Sequence, residues 1–326
     1  MLIDNHGRLV NYLRLAVTDR CNLRCFYCMP EEGNKWLSRD ELLRGDEMLR
    51  ISKILVNAGV EKIRITGGEP FIRKDIMQLL GDLSKLPGLK NLSVTTNGVL
   101  TAPLVPELKK IGIRSVNLSL DTLDKNRFFT ITHRDEFDKV MNTLDQLLIH
   151  NFSVKINAVV MEGKNIGDII PLVNLTKKSP VEIRFIEEMP FNGEGSHYPV
   201  LHWNFEKILD HIRTSYPEIR KSEDEPFGTS TNFQVPGHAG KIGVIAAYSR
   251  TFCGTCNRIR ITPQGNLKTC LYDGGVGNIR DLMRNGASDE KILTTITERI
   301  SRRALDGREA ERMREPVHES MATIGG

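Results

Sequence analysis

The six cysteines of the chain stand in two triplets, Cys21, Cys25 and Cys28 near the start and Cys253, Cys256 and Cys270 near the end. Thiolates bind soft metals and iron–sulfur centres. A four-ligand set normally closes a structural site, whereas three cysteines leave one position open to a substrate or cofactor. The first set reads Cys21-Asn22-Leu23-Arg24-Cys25-Phe26-Tyr27-Cys28, a C-x3-C-x2-C spacing directly after a strand-like run. Such a loop can wrap three thiolates around one cluster and leave one iron free. A zinc site with its fourth ligand elsewhere, and chance clustering, are the competing readings.

Basic residues form the second set that could do chemistry. Arg14 lies between Leu13 and Leu15, Arg64 between Ile63 and Ile65, Lys155 between Val154 and Ile156, and Arg184 between Ile183 and Phe185. Strand side chains alternate faces, so the apolar flanks point one way and the lone base the other. If the flanks meet helices, the bases point into the lumen of a curved sheet. Barrel interiors are ordinarily filled with branched apolar side chains, so a lumen holding four cations suits a polyanion. Any one of them alone would read equally well as a salt-bridged strand residue.

These residues need elements to hold them. Strand-like runs at Leu13–Thr18, Lys62–Thr66, Leu92–Thr96, Ser115–Leu120, Val154–Val160 and Glu182–Glu187 alternate with amphipathic stretches such as Asp46–Asn57, Ile76–Leu86 and Phe137–His150. Six β-α units in succession predict a parallel sheet with crossover helices. Further on, Pro190–Pro199 and Ser222–Gln234 read as loops and Phe205–Tyr216 as a helix. Strand-like runs follow at Lys241–Tyr248 and Arg258–Thr262, then helices at Ile279–Arg284 and Asp289–Leu305.

With 326 residues, 40% hydrophobic and 26% charged, the composition is that of a globular protein without a membrane-length apolar run. The N-terminus lacks a signal-peptide pattern, which predicts a cytoplasmic protein whose cysteines serve metals rather than disulfides. A net charge of +4 does not call for nucleic acid. No membrane or nucleic-acid partner is expected.

The first cysteine spacing, followed after the second strand by Thr66-Gly67-Gly68-Glu69-Pro70, resembles the radical S-adenosylmethionine (SAM) superfamily. Phe252-Cys253-Gly254-Thr255-Cys256-Asn257-Arg258-Ile259-Arg260-Ile261-Thr262, with Gly265 to Leu271 around Cys270, resembles the C-terminal cluster motif of the GTP 3′,8-cyclase family within it. The likeness runs through Leu13–Cys21, Arg64–Pro70, Thr95–Gly98, Asn117–Asp121, Arg184–Glu187 and the terminal Gly325-Gly326. Phe71, where an aliphatic residue is commoner, and a looser turn at Asn165–Asp168 depart from the pattern and bear only on local loops.

The resemblance implies an α/β fold. Residues 1–235 would form an incomplete six-unit, TIM-like β/α barrel, and 236–326 a C-terminal extension closing it and carrying the second cluster. It implies two [4Fe-4S] clusters, on Cys21, Cys25 and Cys28 and on Cys253, Cys256 and Cys270, the first binding SAM and yielding a 5′-deoxyadenosyl radical. SAM contacts carry over to Tyr27, Gly68, Ser119 and Met189. GTP contacts carry over to Arg14, Arg64, Thr95, Lys155, Arg258 and Arg260, and catalytic assistance to Arg184, Gly325 and Gly326. The implied reaction converts GTP to (8S)-3′,8-cyclo-7,8-dihydroguanosine 5′-triphosphate, the first step of molybdenum cofactor synthesis. A homodimer and hand-over of product to the next pathway enzyme, cyclic pyranopterin monophosphate synthase, are part of the same expectation. A radical SAM peptide-modifying enzyme with an auxiliary cluster, and a non-catalytic zinc or iron–sulfur module acting on RNA, are the alternatives. The lumen cations argue against the first. The lack of a basic, aromatic-interleaved surface stripe argues against the second.

Overall fold

The structure, a computed structural model, describes residues 1–29, 36–189, 201–313 and 320–325. The loop expected at Pro190–Pro199 lies outside them. Six strands follow the six runs read from the sequence: β1 (Tyr12–Ala16), β2 (Lys62–Thr66), β3 (Asn91–Thr96), β4 (Ser115–Ser119), β5 (Ser153–Val160) and β6 (Glu182–Glu187). They pair side by side in that order, all parallel.

Parallel neighbours need crossovers, and amphipathic helices supply them. The helix Gly45–Asn57 buries Met48, Ile51, Ile54 and Leu55, and Phe137–Ile149 buries Val140, Leu144 and Leu147. On the strands Leu13, Leu15, Ile63, Ile65, Val116, Leu118, Ile156 and Ile183 are fully enclosed. Each such side chain favours folding by roughly 1.5–3 kcal/mol over leaving it exposed. The lone bases between them occupy the other face, as strand alternation requires.

Later segments lengthen both edges of the sheet. The remaining strands are β7 (Arg220–Lys221), β8 (Thr231–Gln234), β9 (Lys241–Ile245), β10 (Arg258–Ile261) and β11 (Leu267–Lys268), and the sheet order is β11-β10-β1-β2-β3-β4-β5-β6-β9-β8-β7. β10 runs parallel to β1 and β9 parallel to β6, while the outermost pairings are antiparallel. The result is an α/β fold with a parallel-rich sheet, consistent with a partial barrel. Part of the stretch read as the loop Ser222–Gln234 is strand. Its polar sequence hides this, because Thr231–Gln234 gains its order from pairing with β9, Phe233 opposite Ile242.

Register sets the lumen. Arg14 stands level with Arg64 on one side and Arg260 on the other, and Arg184 lies opposite Asn157. No helix among the described residues is long and apolar enough to cross a membrane.

Candidate active site

The first thiol loop leaves the end of β1 and is pinned by the turn after β2. Gly68 N–H donates to Thr18 O at 2.9 Å and Glu69 N–H to Arg20 O at 2.8 Å. This approach is possible only without side chains. A Cβ on Gly67 would lie 2.5 Å from Thr18 O, and one on Gly68 would lie 2.3 Å from Arg20 O. Gly67 also holds φ +144°, a conformation that L side chains rarely adopt. The glycine pair thus positions the cysteine loop, a role internal to the protein and additional to any cofactor contact.

Around the thiols, Asn97 Nδ2 lies 3.5 Å from Cys21 Sγ and donates to it, and the Tyr27 hydroxyl donates to Asp121 at 2.8 Å. Burial pushes Asp121 up to about 6, against the Tyr27 bond. Burial, reinforced by Glu69, raises Cys21 to about 11; burial and then Cys21 raise Cys28 to about 12, and burial carries Cys25 well above its ordinary value. Left alone, these are protonated thiols. A bound metal centre would displace the protons and compensate the buried charge.

Glu69 itself accepts from Phe71 N, Thr96 Oγ1 and Asn97 N at 3.2, 2.8 and 2.7 Å. Burial still pushes its carboxyl from 4.5 up to about 7. An acid raised on folding adds stability below its unfolded pKa and loses that contribution as pH rises through the folded one. Unfolding free energy should therefore fall from about pH 4.5 to about 7, and denaturation midpoints should lose that slope in Glu69→Gln.

The second set is built differently. Cys253 opens a short 3-10 turn, Cys253–Thr255, and Cys256 leads directly into β10. Cys270 is fixed through Asp273, whose Oδ2 accepts from the Cys270 and Thr269 N–H groups at 2.8 and 2.7 Å. Behind them Arg303 donates to Cys256 Sγ at 3.0 Å, Cys256 O at 2.9 Å and Arg258 O at 3.0 Å. Asp4 and Arg8 complete this buried group, Arg8 pairing with Asp4 at 2.6 Å and donating to Cys253 O at 3.0 Å. Burial raises Cys253 and Cys270; it also opposes ionisation of Cys256, but Arg258 and then Arg303 bring that thiol down to about 6. The sequence held no signal for Arg303, which reaches the site from 47 positions away in the chain.

All six cysteines line one cavity of about 300 Å³, together with Arg14, Arg64, Arg184, Arg258 and Arg260. Tyr27, Gly68, Thr95, Ser119 and Met189 line it as well. Among the described residues, Arg14 Nε, Arg258 Nε and Nη2, Arg260 Nε and Thr95 Oγ1 are buried with no hydrogen-bond partner. Burial and the Arg260 and Arg64 charges press Arg14 down to about 9. Guanidinium remains charged at neutral pH, so these unmet donors fit an anion of several charges.

Two expected site residues stand apart. Lys155 does not line this cavity, and is engaged by Glu182 at 3.4 Å and by Glu225. Gly325 packs against Ala16 and Thr66 on β1 and β2, while Arg184 is on β6. Its segment reaches the first thiol loop, where the Ser320 hydroxyl donates to Cys28 O at 2.5 Å. Gly326 lies outside the described residues.

The donor sets fit iron–sulfur clusters. All six thiols are free, three to each set on the wall of one cavity, and each set receives N–H donors at sulfur. Among the described residues no three Cys, His, Asp or Glu side chains are gathered closely enough to hold a single metal ion.

Comparison with known proteins bears directly on this arrangement. The Radical SAM superfamily profile matches residues 15–176, and Molybdenum Cofactor Synthesis C matches 181–308. A Dictyostelium discoideum protein named Molybdenum cofactor biosynthesis protein 1 is 44% identical over 91% of this chain and 48% of its own length. The chain spans about half the length of that relative and of its bovine counterpart. A Clostridium perfringens (strain SM101 / Type A) GTP 3′,8-cyclase is 41% identical over 91% of both chains. The Arabidopsis thaliana mitochondrial GTP 3′,8-cyclase is 42% identical over 93% of this chain and 78% of that one. In fold, the chain is similar to Streptococcus suis SuiB bound to S-adenosylmethionine, with a TM-score of 0.61 at 17% identity, covering 88% of this chain and 68% of that one. With two relatives named GTP 3′,8-cyclase above 40% identity, and each matched profile spanning one of the two thiol sets, the chain belongs to the GTP 3′,8-cyclase family of the radical SAM superfamily.

Proposed function

We propose that this chain is a radical SAM GTP 3′,8-cyclase, forming (8S)-3′,8-cyclo-7,8-dihydroguanosine 5′-triphosphate in the first step of molybdenum cofactor synthesis. The observation that carries the reading is a single cavity walled by both thiol triplets and by arginines, of which Arg14, Arg258 and Arg260 keep buried N–H groups with no hydrogen-bond partner among the described residues. Cys21, Cys25 and Cys28 would hold one [4Fe-4S] cluster and Cys253, Cys256 and Cys270 the other. When bound, these and SAM supply one-electron chemistry at the first set and an open iron for the guanine base at the second.

The chain's own residues bind, orient and exclude water. Tyr27, Gly68, Ser119 and Met189 would contact SAM. Arg14, Arg64, Thr95, Lys155, Arg258 and Arg260 would hold GTP, the cations meeting its triphosphate through charge-assisted hydrogen bonds. Fixing both molecules in one enclosed space replaces an encounter with an oriented pair and keeps a reactive intermediate from solvent. Arg184, Gly325 and Gly326 would assist catalysis. A division at residues 235/236, the second cluster in the C-terminal part, a cytoplasmic homodimer and transfer of product to cyclic pyranopterin monophosphate synthase belong to the same reading.

The test is anaerobic reconstitution with iron and sulfide, then SAM, a strong reductant and quantification of 5′-deoxyadenosine with and without GTP. GTP-dependent formation that disappears in Cys21→Ala is the expected result. SAM cleavage indifferent to GTP would overturn the substrate. Iron content gives an independent check: replacing Cys253, Cys256 and Cys270 together by serine should remove about half of the iron and leave SAM cleavage at the first set measurable.

A further inference from the structure

Below the main cavity lies a second, of about 260 Å³, at the opposite end of the parallel strands. Its walls include Tyr12, Lys62, Asn91 and Asn257 from the strand starts, and the continuous run Glu225–Thr229 from the loop between β7 and β8. Arg14, Arg64, Arg184 and Arg258 line both cavities. The two spaces therefore meet at the same guanidiniums, and the loop forms a wall of the lower one.

That loop carries an anion into the cationic lumen. Glu225 pairs with Lys155 and lies 3.7 Å from Arg184. Lys155 and Arg184 also share Glu182, yet both are nearly enclosed, whereas the Glu225 side chain is half exposed. The loop's anchoring is local. Gly228 N–H closes a turn on Glu225 O at 2.8 Å, Asp224 accepts from Asn232 N at 2.7 Å, and Phe227, at φ +58°, is exposed. A half-exposed carboxylate on a locally held turn can give way to an incoming anion, while Glu182 keeps both cations partly paired; with no anion to replace it, its departure would leave nearly enclosed charge under-compensated.

We propose that Glu225 is an internal counter-anion that occupies Lys155 and Arg184 and is displaced by the phosphate groups of the substrate, so that ligands lacking phosphates do not open this end of the lumen. This rests on the proposed GTP reading for the identity of the substrate, but the displacement concerns any polyphosphate. Glu225 acts here as a specificity residue: its carboxylate and a phosphate compete for the same two cations.

The experiment is titration calorimetry on the anaerobically reconstituted full chain with GTP, inorganic triphosphate and guanosine, comparing wild type with Glu225→Gln and Glu225→Ala. Both variants should bind GTP and triphosphate about five- to ten-fold more tightly, with guanosine unchanged, and thermal melts should confirm that they fold. Unchanged or weaker triphosphate binding in both folded variants would overturn the proposal. Tighter triphosphate binding in the variants, with wild type preferring GTP no more than triphosphate, would support the role of Glu225 and overturn the GTP reading.

Discussion

Gly68→Ala is expected to destabilise the protein by about 3 kcal/mol or more and to prevent iron loading at the first thiol set. The added Cβ would lie 2.3 Å from Arg20 O, 2.6 Å from Arg20 C and 2.8 Å from Asp19 O. Every one of these atoms is backbone, so no rotamer change relieves the overlap. Relief requires the Thr18–Arg20 segment to retreat, which breaks the bonds from Gly68 N to Thr18 O and from Glu69 N to Arg20 O. That segment delivers Cys21, and its displacement would reach Cys25 and Cys28 through the same loop. Chemical denaturation and iron per chain read the two effects separately. Gly81→Ala is the control: Gly81 sits inside the helix Ile76–Ser84 with nothing within 4 Å of the new methyl, and the change should stabilise by roughly 0.5–1 kcal/mol. Normal stability and normal iron in Gly68→Ala would show that the close approach of the two loops is dispensable.

The parts legible in the sequence were those governed by local pattern. Each of the six strand runs lies within a residue or two of an observed strand, because apolar residues alternating with a polar or basic one repeat the two-residue period of a strand, and the helices between them repeat the helical one. The alternation also told which way Arg14, Arg64 and Arg184 face, and all three line the cavity with both cysteine sets. What stayed hidden depends on distant pairing. Nothing local in Thr231–Gln234 marks a strand, and nothing before pairing says that β10 joins β1 while β9 joins β6. The same holds for charge. Lys155 reads as a lumen base like the others, but Glu225, 70 residues on, engages it. The glycine pair shows a third limit, since its motif was visible while the backbone it must clear was not.

Arg303→Met is expected to cost about 3–5 kcal/mol and to strip iron selectively from the second thiol set. Arg303 is buried, with 4% of its surface exposed, and its guanidinium satisfies Cys256 O, Arg258 O and Cys256 Sγ at once. Methionine fills much of the volume but leaves two buried carbonyls unmet, each at a desolvation cost of roughly 1–3 kcal/mol. It also removes a partner from Asp4, whose Oδ2 lies 3.5 Å from Arg303 and is otherwise held by Arg8. Because Arg303 ties Cys256 to the first residue of β10, its loss would loosen Cys256 and the Arg258 backbone together. Arg8 would still hold the Cys253 carbonyl, and the Thr18–Cys28 loop shares none of these bonds. Iron per chain should thus fall by about half, with reductive SAM cleavage at the first set retained. Arg303→Lys keeps the charge but not the planar fork, so it should hold iron while shifting the reduction potential of the second centre downward, read by electron paramagnetic resonance during a redox titration. Equal loss of iron from both sets in Arg303→Met would mean instead that the residue supports the fold as a whole rather than the second centre.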